Sequence, residues 1–190
     1  MPTCSEARSS LLSLLRGAEH FNTEVFPAKE ALFASLAKGQ SPGALFIACA
    51  DSRIDPNLIT QTEPGSLFIL RNIGNLVPAY GEMLGGVSSA IEYAVMALGV
   101  STIIVCGHSD CGAMKALLDP EKSGLDTMPT VKSWLRNAEA ARAATLNTFR
   151  SDDVGPATVR CIAEQNVLLQ LAHLRTHPAV AAGLAGRTLF

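Results

Sequence analysis

Three short apolar runs mark the first part of the chain: "ALFIACA" (44–50) behind "SPG", "SLFILRN" (66–72) behind "EPG", and "STIIVCG" (101–107). Turn-forming glycine or proline precedes or flanks each run, and each has the length of a buried strand. Between the second and third, "GGVSSAIEYAVMALG" places Val87, Ala90, Ile91, Ala94, Val95 and Leu98 on one helical face, with Gly99 to end it. "FPAKEALFASLAKG" (26–39) predicts another helix, with Pro27 in its first turn, apolar residues at three- and four-residue spacing, and Gly39 as terminator. "VKSWLRNAEAARAATLN" and "PATVRCIAEQNVLLQLAHLRTH" read as mostly helical, and "DPEKSGLDTMP" (119–129) as a loop. Near-continuous apolar strands alternating with helices predict an α/β fold, a central parallel β-sheet flanked by helices on both faces. The chain reads as one domain over residues 1–190, with 1–38 as a helical N-terminal arm.

Composition narrows the function classes. With 190 residues, 48% hydrophobic and 17% charged, the chain can bury a substantial core. A net charge of −2 without a lysine/arginine run offers no electrostatic footprint for nucleic acid or a membrane surface. No apolar stretch is long enough to span a bilayer. "MPTCSEARSSLLSLLRGAEH" lacks a positive leader and a convincing cleavage site, so a mature, cytoplasmic protein is expected. The five cysteines (Cys4, Cys49, Cys106, Cys111 and Cys161) are odd in number and sparse. That argues against a disulfide scaffold and suits a reducing compartment.

Chemistry concentrates in "IACADSRIDP" (47–56) and "VCGHSDCGAM" (105–114). In parallel α/β sheets the functional crevice lies beyond the carboxyl ends of the strands. Cys49 ends the first predicted strand, and His108 and Cys111 follow the third, so neighbouring strands would bring them to one crevice. Two thiolates and an imidazole form a soft set suited to tetrahedral zinc, and three protein ligands leave a position open, as catalytic sites do. Buried cysteines near strand ends are also common as small apolar core residues, and that reading stands beside the metal one. Side chains alternate along an extended chain, so Cys49, Asp51 and Arg53 are expected on one side. An aspartate held by two hydrogen bonds to arginine stays ionised and oriented. The alternative is an ion pair that merely braces a loop.

"CADSR" followed by "GHSDCG", with "EPGSLFILRNIGNLVP" and "GGVSSAIEYAVMALGVSTIIVCGH" between them, resembles the β-class carbonic anhydrases. The likeness runs from about Phe26 to Leu118, resumes weakly in "SWLRNAEAAR" and "EQNVLLQLAHLRTHPAV", and is closest to bacterial enzymes of the cyanate-operon type. The resemblance implies reversible hydration of carbon dioxide to bicarbonate and a proton, by a zinc-bound hydroxide oriented by an Asp–Arg dyad. It implies one Zn2+ per chain on Cys49, His108 and Cys111, with Asp51 and Arg53 catalytic and Asp51 a fourth ligand only in a closed state. By the same likeness Gln40 of "KGQSP", Phe68, Ile73, Tyr93 and the N–H of Gly112 bind substrate. The family sheet is ordered 2-1-3-4, and its members form homodimers or higher even oligomers with sites at the subunit interface. The family usually continues into a further strand with a His-Gly-Trp-type motif, whereas this chain ends at "GLAGRTLF", which implies a short C-terminus and an open sheet edge.

Two other functions fit the same residues. Relatives with these motifs hydrolyse carbonyl sulfide or carbon disulfide, and the ligand set does not separate those substrates. A non-catalytic, zinc-stabilised binding or sensor protein would need a fourth protein ligand, for which Asp51 and, less well, Cys106 are the candidates.

Overall fold

The computed structural model describes residues 3–82, 84–149 and 154–190. It divides into two compact units, one up to Gln40 and one from Ser41 to Phe190.

The first unit is helical. Helix α1 (Cys4–His20) starts on a reciprocal cap, in which the Thr3 hydroxyl accepts from the Glu6 N–H and the Glu6 carboxylate accepts from the Thr3 N–H. A wide turn over Phe21–Val25 leads into α2 (Phe26–Ala28) and α3 (Glu30–Leu36). The single helix expected over 26–39 is therefore corrected. Lys29 leaves helical geometry (φ −112°, ψ 24°) and splits it, and the second piece ends at Leu36. Phe21, Phe26 and Phe33 cluster, with the Phe26 and Phe33 rings stacked at 4.9 Å. None of these helices has a buried residue, and Leu11, Leu12, Leu14 and Leu15 are all exposed.

The second unit is built on strands β1 (Ala44–Cys49), β2 (Leu67–Asn72) and β3 (Thr102–Cys106), each within a residue or so of its predicted run. They pair in parallel in the order β2-β1-β3. Every residue of β1 is buried, as a central strand covered on both faces must be. Helix α4 (Pro56–Thr60) follows β1, with Asp55 accepting from the Leu58 N–H as its cap.

Helix α5 (Gly86–Glu92) and the wide turn Tyr93–Ala97 join β2 to β3, and Gly99 closes that segment at φ +67°. Beyond β3 come α6 (Gly112–Leu118), α7 (Pro129–Leu135), α8 (Glu139–Thr148), α9 (Pro156–Leu174) and α10 (Pro178–Ala185). Two apolar cores result. One gathers Leu45, Ile47, Val77, Ile91, Ala94, Leu174 and Val180. The other joins Cys49, Leu76, Cys111, Met114, Leu135 and Ile162.

The expected order 2-1-3-4 is corrected to 2-1-3 among the described residues. The fourth position is touched by one residue. Phe190 donates its N–H to Ser101 and accepts from the Ile103 N–H, so α10 delivers the backbone to the edge of β3 for a single pairing only.

Candidate metal centre

Cys49 is the last residue of β1, and the chain turns immediately after it. The Asp51 Oδ1 accepts from the Arg53 N–H at 3.0 Å, and the Ile54 N–H donates to the Asp51 carbonyl, closing a turn over 51–54. This corrects the extended alternation expected for Cys49, Asp51 and Arg53. The aspartate captures the backbone two residues on, and Arg53 folds back over it. Arg53 then donates from Nε to Asp51 Oδ1 at 2.9 Å and from Nη2 to Asp51 Oδ2 at 2.7 Å, a two-point bond. These side-chain bonds first, then the Arg53 N–H, hold the Asp51 carboxyl well below the usual carboxylate range, and Arg53 is raised in turn.

The other two donors come from the turn after β3. His108 Nδ1 donates to the Ser109 carbonyl at 2.8 Å, which fixes the tautomer and leaves Nε2 as the free lone pair. That Nε2 is buried without a hydrogen-bond partner. A single donor atom from each of Cys49, His108 and Cys111 lies within 4.8 Å of the other two. Asp51 lies just outside this triad, its Oδ2 4.0 Å from His108 Nε2.

The two sulfurs depend on each other. Cys49 is lowered to about 4, first by the hydrogen bond from the Cys111 thiol and, against the effect of burial, by the N–H groups of Asp51 and Gly74. Cys111 is raised, first by Cys49 and then by burial. Without a metal the pair shares one proton. Buried thiols that close, beside an orphaned imidazole lone pair, have the chemistry of a soft divalent metal site, and zinc fits.

The remaining predicted residues divide. Ile73 and Gly112 line one cavity of about 590 Å³, with Ala113, Met128 and Val131 among its walls. Phe68 and Tyr93 are not among the residues lining it. Their rings lie 6.0 Å apart on β2 and on the turn after α5. Gln40 is exposed at the end of the first unit. Cys106, the weaker fourth-ligand candidate, points its thiol at the Gly107 carbonyl.

Several supporting residues were not singled out by the sequence. Arg71 donates from Nε to the Cys49 carbonyl at 3.1 Å and from Nη2 to the Asp51 carbonyl at 2.6 Å, tying β2 to the end of β1. Asn166 and Gln170 of α9 hold the loop after β2: Asn166 donates to the Gly74 carbonyl, and Gln170 Oε1 accepts from the Val77 N–H. Asp110, inside "GHSDCG", accepts from Arg53 Nη1 at 3.0 Å and pairs with Lys115. Its place between two candidate ligands was the one available signal.

The carbonic anhydrase family model matches residues 44–189. A carbonic anhydrase of Pseudomonas aeruginosa is 51% identical over 171 residues, covering 90% of this chain and 76% of that protein. Among solved structures, the β-carbonic anhydrase CcaA superposes with a TM-score of 0.90 at 43% identity, over 95% of this chain and 87% of that one. A tetrameric β-carbonic anhydrase of the filamentous ascomycete Sordaria macrospora superposes at 0.82 with 28% identity, over 95% and 88% of the two chains. With its Cys49–His108–Cys111 triad at the carboxyl end of a parallel sheet, the chain belongs to the carbonic anhydrase family, in its β class.

Proposed function

We propose that this protein catalyses the zinc-dependent, reversible hydration of carbon dioxide to bicarbonate and a proton. The observation that carries the reading is the triad of two buried cysteines and a half-buried histidine, with the orphaned His108 Nε2 and an ionised carboxylate 4.0 Å away. Zinc, when held by Cys49, His108 and Cys111, lowers the pKa of a coordinated water and so supplies a nucleophile near neutral pH.

The chain's own residues do the rest. Asp51 is the orienting base. Kept ionised by Arg53, its Oδ2 faces the triad and accepts a hydrogen bond from the attacking water, aiming the oxygen lone pair at the substrate carbon. By the family likeness, Ile73 contributes an apolar wall that favours carbon dioxide over water, and the N–H of Gly112, next in the chain to Cys111, donates to an oxygen of the developing anion. Phe68 and Tyr93 complete the substrate contacts in a homodimer, and Gln40 is a further substrate contact by the family likeness alone. Leu58, Ile59, Ile69, Ile73, Tyr93 and Met96 are all exposed apolar residues, which supports an assembled form, as does the tetrameric relative. In this arrangement Asp51 rests on Arg53, and a closed state would be one in which Asp51 left Arg53 to serve as a further ligand of a bound metal. Five free cysteines, two of them in the triad, favour a reducing cytoplasm, and among the described residues no helix is long and apolar enough to cross a membrane.

Stopped-flow carbon dioxide hydration and zinc content, measured on wild type, Cys49→Ser and Asp51→Ala, test this function. Cys49→Ser loses both zinc and activity, whereas Asp51→Ala keeps zinc and turns over poorly. A zinc-free Cys49→Ser protein that remains active would overturn the assignment.

A further inference from the structure

Asp51 and Arg53 belong to one tight turn, so their mutual bond fixes them to each other but not to the metal ligands. Arg71 anchors the backbone beneath them, through the carbonyls of Cys49 and Asp51 rather than through either side chain. The external reference comes from elsewhere. Arg53 Nη1 donates to Asp110 Oδ2 at 3.0 Å, and Nη2 donates to the Asp110 carbonyl at 3.2 Å. Asp110 lies between His108 and Cys111. The guanidinium therefore spans two segments, with a carboxylate on one edge and the ligand turn on the other.

We propose that Asp110 is a positioning residue for the reaction, holding Arg53, and through it Asp51, in register with the metal ligands. This rests on the carbonic anhydrase reading of the site. Three features favour positioning over simple stabilisation. Arg53 and Asp110 are largely exposed, at 59% and 56% for their side chains, where ion pairs contribute little to folding. Asp110 also adopts φ +57°, a left-handed conformation that aspartate, asparagine and glycine accept more readily than other residues. Its carboxylate splits between two cations, Oδ1 on Lys115 and Oδ2 on Arg53, so the guanidinium has a carboxylate oxygen of its own that does not depend on Lys115.

That backbone conformation supplies clean variants. Asp110→Gly removes the carboxylate without opposing φ +57°, and Asp110→Asn keeps an acceptor oxygen for Arg53. Lys115→Met removes the second cation alone. Each is assayed for kcat and KM, for zinc content, and for the Arg53 Nη1–H signal in nitrogen-15 NMR spectra of the zinc-loaded protein, because Nη1 is the guanidinium nitrogen bonded to the Asp110 carboxylate. Asp110→Gly is expected to lower kcat about tenfold or more with full zinc and little change in KM, as sub-ångström misplacement of a reacting group does. The Arg53 signal is then lost to exchange. Asp110→Asn recovers most of kcat and the signal, and Lys115→Met stays near wild type in both. Wild-type kcat in Asp110→Gly would overturn the proposal, as would a Lys115→Met protein that behaves like Asp110→Gly. A wild type with zinc and no hydration activity would instead sink the carbonic anhydrase reading, while the Arg53 signal would still report whether Asp110 holds it.

Discussion

Asn166 donates from Nδ2 to the Gly74 carbonyl at 3.0 Å, a buried bond between residues 92 positions apart. Gly74 stands at φ +78°, with its N–H serving the Cys49 sulfur. A Cβ built there would lie 3.2 Å from the Ala113 Cβ and 3.3 Å from the Met114 Cε. Helix α9 thus holds in place the residue whose N–H supports a metal ligand. Gly74→Ala combines a strained backbone with a tight fit, and is expected to cost about 1–3 kcal/mol of stability. Zinc affinity should fall about 10–100-fold, as loss of a ligand's supporting partner does. Chelator competition and thermal unfolding measure the two effects, and an unchanged zinc affinity would show that the Gly74 peptide does not matter to the metal.

Zinc uptake should release one proton from the two sulfurs. Cys49 is lowered by Cys111 and by the neighbouring N–H groups, while Cys111, raised by that neighbour and by burial, keeps its proton. Binding displaces the retained proton, so affinity falls as the medium becomes more acidic, by about tenfold per pH unit from this source. Calorimetric zinc titrations in buffers of different ionisation enthalpy count the protons. Release of two from the sulfurs would mean that they do not share one.

Arg53→Met should return the Asp51 carboxyl toward its ordinary value near about 3.9. In the wild type the Arg53 bonds depress it, so the favourable contribution of the ionised pair is full above the unfolded value and disappears only as pH falls through the lower folded one. Without Arg53 the folded and unfolded values converge, and this pH-dependent contribution disappears. A carbon-13 NMR titration of Asp51 reads the shift, and an unmoved Asp51 would assign its depression to another cause.

Tyr93 and Met96, 49% and 70% exposed, lie on the turn after α5. A carboxylate placed on an apolar contact face opposes association by desolvation. If the proposed homodimer uses this face, Met96→Glu is expected to shift the protein toward monomer in sedimentation and to lower hydration activity in parallel. A dimeric Met96→Glu protein would move the interface off this face.

The triad and the three strands were legible because each rests on local pattern. An apolar run bounded by glycine or proline specifies a buried strand, and "HSDC" at the end of one brings two donors with it. The 51–54 turn was not, because period-two alternation assumes a strand that continues, and the Asp51 side chain ends it by taking the Arg53 N–H. The roles of Asn166 and Gln170 were hidden for the opposite reason. Their partners at Gly74 and Val77 lie nearly a hundred residues away, and nothing in the helix's own sequence announces which loop its buried amides will meet. The break at Lys29 and the wide turn at Tyr93–Ala97 are small shifts of helical hydrogen bonding that the spacing of apolar residues does not encode.

Helix α9 meets the loop after β2 like the teeth of a comb: Asn166 on Gly74, Gln170 on Val77, and His173 donating to the Val77 carbonyl at 2.8 Å. One residue inserted between Asn166 and Gln170 would rotate every later tooth by about 100° and disengage them together. Substitutions at outward positions such as Leu168 and Leu171 leave the comb seated. The loop that supports Cys49 is therefore less sensitive to what α9 shows to solvent than to how many residues α9 contains.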